Sequence, residues 1–330
     1  MCIIHIINII HTINIKRLQM EYSIATASNN SIAPSGLSAY MFDDFLKFVD
    51  ITEKSIATYK RALKQFINYL TFKGIKNPTR EDVIAFREDL RAEHKATTIQ
   101  TYIVAIRLFF RWTAQRGLYP DIADHIKGAK LTKEHKKDYL TTKQVKKVLA
   151  TIDRSTVQGL RDYAIIALML TGGLRTIEVS RANIEDLRAL GDDTVLYLLG
   201  KGRQEKAEFV RVVEEVETAI RAYLKACKSV EPNTPLFKCL SNKNSNGRLS
   251  TRSISRIVKE TLRKAGYDSD RLTAHSLRHT CGTLNLKSGG SLEETQQLLR
   301  HSNINTTMVY LHHLERLNNR SEERIAKAIF

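Results

Sequence analysis

Between residues 36 and 117, apolar side chains recur at the three- and four-residue spacing of a helix in four successive segments. No other feature restricts the fold as strongly, because this period buries one stripe along each segment and cannot alternate faces as a strand does. GLSAYMFDDFLKFVD (36–50) is the first segment. In SIATYKRALKQFINYLTFKG (55–74), Tyr59, Leu63, Phe66 and Leu70 fall at helical spacing and Gly74 is the stop. NPTREDVIAFREDL carries a capping-box-like pair, Thr79 and Asp82, ahead of Val83, Phe86 and Leu90. TTIQTYIVAIRLFFRWTAQRG (97–117) puts Ile99, Ile103, Ile106 and Phe110 on one face and ends at Gly117. Four helices in about ninety residues predict a small all-α domain.

KGAKLTKEHKK (127–137) supplies five lysines and little to bury, which predicts a linker. Such a run reads either as a solvated charge cluster or as a strap that tracks DNA. Beyond it, helical patterns at 142–152, 156–170 and 174–182 precede two short β-like runs, TVLYLLG (194–200) and AEFVRVV (207–213). The polar turn KGRQEK between them signals a hairpin. Helical patterns then dominate from 214 onward, and the tail 311–330 has Leu314, Leu317, Ile325 and Ile329 available to bury. The expected fold class is mainly α with a small β-sheet, in two domains, without an internal repeat.

Composition narrows the partner. There are 52 Lys+Arg against 35 Asp+Glu, a net charge of +17 and a pI near 9.7. That excess suits a polyanion, either nucleic acid or an anionic membrane surface. Hydrophobic content of 42% allows real cores. Cys2, Cys227, Cys239 and Cys281 are scattered with no CxxC, which implies neither a disulfide framework nor a zinc site and suits a reducing cytosol. The isoleucine-rich start MCIIHIINIIHTINIK is broken by His5, Asn8 and His11, and its basic residues follow the apolar run. It reads as neither signal peptide nor membrane anchor, but as an upstream extension with Met20 as an alternative start.

Several short stretches could carry chemistry. TAHSLRHTCGT (273–283) reads as a helix with His275 and Arg278 at i, i+3. LTGGLRTIEVS (170–180) puts Arg175 and Glu178 at the same spacing, directly after a glycine pair. Two arginines in such settings suggest an anion clamp, because a guanidinium fork matches two phosphate oxygens. Each piece also has an ordinary reading. An Arg–Glu pair one turn apart is usually a surface ion pair. His275 and His279 could ligate zinc, yet the metalloprotease pattern needs a Glu where Ser276 stands. A Lys within Gly-Lys-Gly is usually a turn residue, and Tyr310 is one of 12 tyrosines.

In chain order, however, the set is LTGGLR, GKG between two strands, HSLRH, then LLRHSNINTTMVY. This ordered set resembles the tyrosine recombinases, the phage-type integrases and Xer proteins, over about residues 37–315. The resemblance implies a SAM-like four-helix core-binding domain at 37–125 and a basic linker at 126–138. It further implies an α+β catalytic domain with a C-terminal tail at 139–330; residues 1–36, with the disorder-prone SNNSIAPSG, read as a disordered stretch or extension. It identifies Arg175 and Arg278 as the clamp arginines, Glu178 as an acidic supporter and Lys201 as the hairpin lysine. His275 and His301 become the imidazoles and Tyr310, nine residues beyond His301, the nucleophile. Lys60, Gln100 and Arg203 are candidate DNA contacts. One departure is Arg300, where the family usually has glycine; it removes no catalytic group and bears on local backbone geometry.

The residues suit that chemistry on their own terms. Breaking a phosphodiester without water or metal needs a nucleophile, a charge clamp, a base and an acid for the leaving oxygen. Tyr310, the two arginines, the two histidines and Lys201 can supply all four. The resemblance implies no cofactor and no metal. It implies a C-shaped clamp on double-stranded DNA sites, two protomers per site and four per synapse, a directionality factor as accessory partner, no membrane, and a cytoplasmic, nucleoid-associated location. The expected role is integration and excision of a mobile element or phage. Chromosome or plasmid dimer resolution and DNA inversion are the alternatives within the family. Outside it stand a nicking-and-swivelling enzyme of the topoisomerase IB kind and a non-catalytic architectural DNA-binding protein.

Overall fold

The computed structural model describes residues 36–130, 138–200, 205–228, 231–240 and 247–330. The N-terminal extension and residues 131–137 of the lysine-rich stretch lie outside the described residues. The chain divides into two compact units between Lys133 and Glu134.

The first unit holds helices α1 (Ala39–Phe48), α2 (Glu53–Lys73), α3 (Arg80–Asp89) and α4 (Ala96–Gln115). Thr52 caps α2 by accepting from the Ser55 N–H, and Gly74 ends it in the left-handed conformation, φ 69°. The Thr79 N–H donates to Asp82 Oδ2 at 2.7 Å, so the capping pair read from the sequence forms. Leu63, Phe66 and Leu70 of α2, Val83 and Phe86 of α3, and Ile99, Ile103, Ile106 and Phe110 of α4 are buried in one core. Tyr59 packs against it half-buried. Aromatic contacts knit the helices: Phe42 stacks on Phe109 at 4.4 Å and Phe66 meets Phe86 edge-on at 5.1 Å. Ile126 is buried in this same core, and the Lys127 carbonyl accepts from Arg87. The start of the stretch read as linker is thus anchored to the first unit.

In the second unit, α5 (Thr142–Ala150) opens on a capping box between Thr141 and Gln144. Helix α6 (Val157–Gly172) runs through the core: every residue from Ala164 to Leu170 is buried, so this stretch has no solvent-facing side. A short helix α7 (Thr176–Arg181) follows, then three strands, β1 (Leu187–Leu190), β2 (Asp193–Leu198) and β3 (Glu208–Arg211), in an antiparallel sheet of order β1-β2-β3. Leu187 opposes Leu196, and Leu196 opposes Val210. Strand β1 is absent from the sequence reading. Three of its four residues are exposed, so it has no alternating pattern, and it joins the sheet through its backbone and a two-residue turn at Gly191, φ 60°.

Helices α8 (Glu214–Cys227), α9 (Thr251–Lys264), α10 (Ala274–Lys287) and α11 (Leu292–Leu299) follow the sheet. α8 and α10 both pack on α6. The tail is two helices, α12 (Asn305–Asn318) and α13 (Ser321–Ile329). Leu314 is buried, but no residue of α13 is, and Ile325, Ile329 and Phe330 are exposed. Leu317 lies outside the described side chains.

Candidate active site

Two helix C-termini and one helix N-terminus meet around a group of arginines. α6 ends at Gly173, whose φ of 58° and surroundings both require glycine: an added Cβ would lie 2.6 Å from Leu299 Cδ2 and 3.2 Å from Cys281 Sγ. A helix leaves its last carbonyls without intrahelical partners. Here guanidinium groups supply the donors. Arg278 of α10, 1% exposed, donates to the carbonyls of Gly173 and Leu299. Arg300, which ends α11, donates to the carbonyls of Gly172 at 3.1 Å, Gly173 at 3.2 Å and Leu298 at 2.6 Å. Cations at helix C-termini also complement the helix dipole.

Arg175 caps α7, and its partner is the carboxylate one turn on. Its Nη1 donates to Glu178 Oε1 at 2.7 Å and its backbone N–H to Oε2 at 2.8 Å. The Glu178 side chain is wholly buried while that of Arg175 is 31% exposed, so this is no surface ion pair. Burial works to raise the Glu178 carboxyl, but the charge of Arg300 and the hydrogen bonds from Arg175 outweigh it, and the carboxyl lies below its usual range.

Beside this cluster stand the imidazoles and the phenol. Tyr310 of α12 is buried, packing with Cys281 and Leu299. The rings of His275 and His279 meet edge-on at 4.6 Å, His279 meets Tyr310 at 5.1 Å, and His301 lies parallel to Tyr310 at 6.3 Å. His301 Nδ1 shares a hydrogen bond of 2.9 Å with Thr307 Oγ1. Burial raises the Tyr310 phenol to about 12, while Arg278 and Arg175 pull the other way. Burial and then the charges of Arg278, Arg175 and Arg300 lower His301 to about 4, so it is neutral at pH 7. Burial, followed by Arg175 and Arg300, lowers Arg278 to about 10, and it remains a cation.

The structure therefore brings together Arg175, Glu178, His275, Arg278, His301 and Tyr310 from α7, α10, α12 and the turn after α11. Lys201 and Arg203 lie outside the described residues. The described residues on either side are held: Arg181 Nη1 donates to the Gly200 carbonyl at 3.2 Å, and Lys206 Nζ meets both oxygens of buried Asp186 at 2.7 Å. In the first unit, Lys60 is exposed on α2 and Gln100 is half-buried beside Gly128. Sequence reasoning missed His279 as the ring between His275 and Tyr310, Thr307 as the partner of His301, and the inward course of Arg300. His279 had a signal, its i, i+4 spacing from His275; the other two had none. Among the described residues, no group of three or more His, Cys, Asp or Glu is arranged to hold a metal ion, and no helix is long and apolar enough to cross a membrane.

Residues 138–316 match the phage integrase family, and residues 40–120 match the phage integrase N-terminal SAM-like domain. The chain belongs to the phage integrase family, the tyrosine recombinases. Tyrosine recombinase XerD of Listeria monocytogenes serotype 4b is 28% identical over 286 residues, covering 82% of this chain and 93% of the relative. Tyrosine recombinase XerC of Chlamydia trachomatis serovar L2 is 31% identical over 229 residues, covering 68% of this chain and 70% of the relative. Two solved structures share the recombinase fold. XerH site-specific recombinase bound to difH substrate, in a pre-cleavage complex, has a TM-score of 0.65 at 20% identity, covering 86% of this chain and 84% of its own. A lambda integrase dimer bound to a COC′ core site has a TM-score of 0.67 at 15% identity, covering 89% and 85%. As a tyrosine recombinase the protein is an enzyme that breaks and rejoins DNA strands, and the architectural, non-catalytic alternative falls away.

Proposed function

We propose that this recombinase cuts and rejoins duplex DNA at specific sites through a 3′-phosphotyrosine, with Tyr310 as the nucleophile. The observation that carries this reading is a buried phenol lying against two imidazoles, His279 and His301, and within the field of Arg278 and Arg175. A phenol raised to about 12 needs a base and nearby positive charge before it can attack. In cleavage, Tyr310 Oη bonds to phosphorus, the phosphorus–O5′ bond breaks, and the 3′-phosphate stays on the enzyme. His275 or His301 takes the phenolic proton. Arg175 and Arg278 stabilise the added charge on the non-bridging oxygens. Lys201 gives a proton to the departing 5′-oxygen. Rejoining reverses these steps with a 5′-hydroxyl as attacker, so the bond energy is retained and no nucleotide is consumed.

The DNA contacts of this reading include Lys60, Gln100 and Arg203. It has two protomers per site and four per synapse, a directionality factor as accessory partner, and a cytoplasmic, nucleoid-associated setting. The proposed role is integration and excision of a mobile element. A second reading, resolution of chromosome or plasmid dimers, is favoured by the XerD and XerC relatives. Mapping covalent adducts across the host genome separates them: paired sites flanking an element support the first, a single chromosomal site the second.

The test of the chemistry is Tyr310→Phe on a nicked substrate that traps the covalent complex. The variant should bind its site as the parent does and form no adduct; a surviving adduct moves the nucleophile elsewhere. Strand exchange between two defined sites distinguishes recombination from nicking and swivelling.

A further inference from the structure

We infer that Arg300 is a positioning residue of this site, holding the Glu178 carboxylate and, through it, the clamp arginine Arg175; the inference rests on the role proposed above for Arg175. Arg300 has a left-handed backbone, φ 53° and ψ 50°, a conformation that glycine adopts freely and an L side chain does not. The side chain that occupies this unfavourable position is not solvated. It is 5% exposed, and its guanidinium turns into the protein, where it bonds the last carbonyls of α6 and α11 and Glu178 Oε2 at 3.0 Å.

Glu178 is the centre of the arrangement. Its Oε1 takes Arg175 Nη1, and its Oε2 takes both the Arg175 backbone N–H and Arg300 Nη2. One buried carboxylate thus balances two guanidiniums of different exposure, 31% for Arg175 and 5% for Arg300. The more open one suits an incoming phosphate. The enclosed one has both terminal nitrogens committed to protein acceptors, so its effect on a substrate passes through Glu178. Arg175 Nη2 also approaches the Arg300 carbonyl at 3.4 Å, a second and weaker tie between the two residues. Removing the Arg300 side chain leaves the Glu178 carboxylate to its two bonds from Arg175 and unties that pair from the carbonyls that end α6 and α11. Arg175 then loses a fixed partner, and misplacement of a clamp by about 1 Å can cost roughly 100-fold in rate.

The experiment compares Arg300→Gly, Arg300→Lys, Glu178→Gln and the double variants in single-turnover cleavage of the trapping substrate. DNA affinity and melting temperature are measured alongside. Arg300→Gly should bind DNA with unchanged Kd and melt cooperatively, yet cleave roughly 10- to 100-fold more slowly. Arg300→Lys should recover part of the rate, because an ammonium can still meet Glu178. The Arg300→Gly/Glu178→Gln double variant should be no slower than Glu178→Gln alone, since both act through one carboxylate. Should Arg300→Gly not fold, the same cycle with Arg300→Lys carries the test. Parental cleavage by Arg300→Gly, or losses that multiply in the double variant, would overturn the inference, as would a loss matched by weaker binding. Tyr310→Phe, run beside these, separates the two ideas: an adduct in that variant defeats the catalytic reading, and its absence leaves the Arg300 result to be judged alone.

Discussion

The imidazole of His301 faces the phenol of Tyr310, their centroids 6.3 Å apart and their planes 5° from parallel. Thr307 engages His301 through Nδ1, and Gln296 donates to its backbone carbonyl at 3.0 Å. With Nδ1 occupied, Nε2 is the nitrogen left to exchange a proton or meet a phosphate oxygen.

Because His301 sits at about 4 instead of its ordinary 6.5, the folded protein refuses a proton that the unfolded chain accepts. The stability this group contributes is therefore present above pH 6.5 and is lost as the pH falls toward 4. Glu178, also held below its usual range, works in the same direction at lower pH. Urea midpoints should drop between pH 7 and 4, and His301→Gln should flatten the upper part of that fall. An identical slope in the variant would mean that His301 titrates normally.

Lys201→Ala should slow cleavage by roughly 10²- to 10⁴-fold, the usual range for a lost general acid. Replacing the bridging 5′-oxygen with sulfur should largely rescue it, because a thiolate leaves without a proton. Lys206 is a poor substitute, since both oxygens of buried Asp186 hold its ammonium. Absence of rescue would assign Lys201 to DNA binding and give the proton transfer to another group.

Cleavage should proceed in EDTA with no added nucleotide, because the proposed charge clamp is made of arginines. Site binding should weaken steeply with salt, by on the order of 10³- to 10⁵-fold between 50 and 200 mM for a footprint of about 6–10 phosphate contacts. Activity restored by zinc or magnesium after chelation would contradict the first expectation. A nearly flat salt curve would contradict the second.

Deleting residues 321–330 should leave melting and single-site binding unchanged but impair assembly of two sites, as measured by mobility shift. The expectation rests on α13, which buries none of its residues and exposes Ile325, Ile329 and Phe330. A cut further back, after His313, is a poorer probe, because it removes Leu314, which is buried. Equal loss of binding and assembly would indicate that α13 supports its own protomer.

The helices of the first unit were legible in the sequence because local rules specify them: an apolar stripe at 3.6-residue spacing, the Thr79–Asp82 cap, and Gly74 as a left-handed stop. Six of the candidate site residues picked out by their order along the chain, Arg175, Glu178, His275, Arg278, His301 and Tyr310, are gathered in one place, while Lys201 lies outside the described residues. Three things were decided by tertiary structure alone. Strand β1 exists because β2 offers it a backbone edge, and its own residues carry no pattern. His279 stands between His275 and Tyr310 because α10 and α12 pack together. Arg300 turns inward because three carbonyls at the ends of α6 and α11, together with Glu178, converge where its guanidinium can reach them all. Local propensity acts over a few residues, whereas a guanidinium bound to groups more than a hundred positions away answers to geometry that only the folded chain creates.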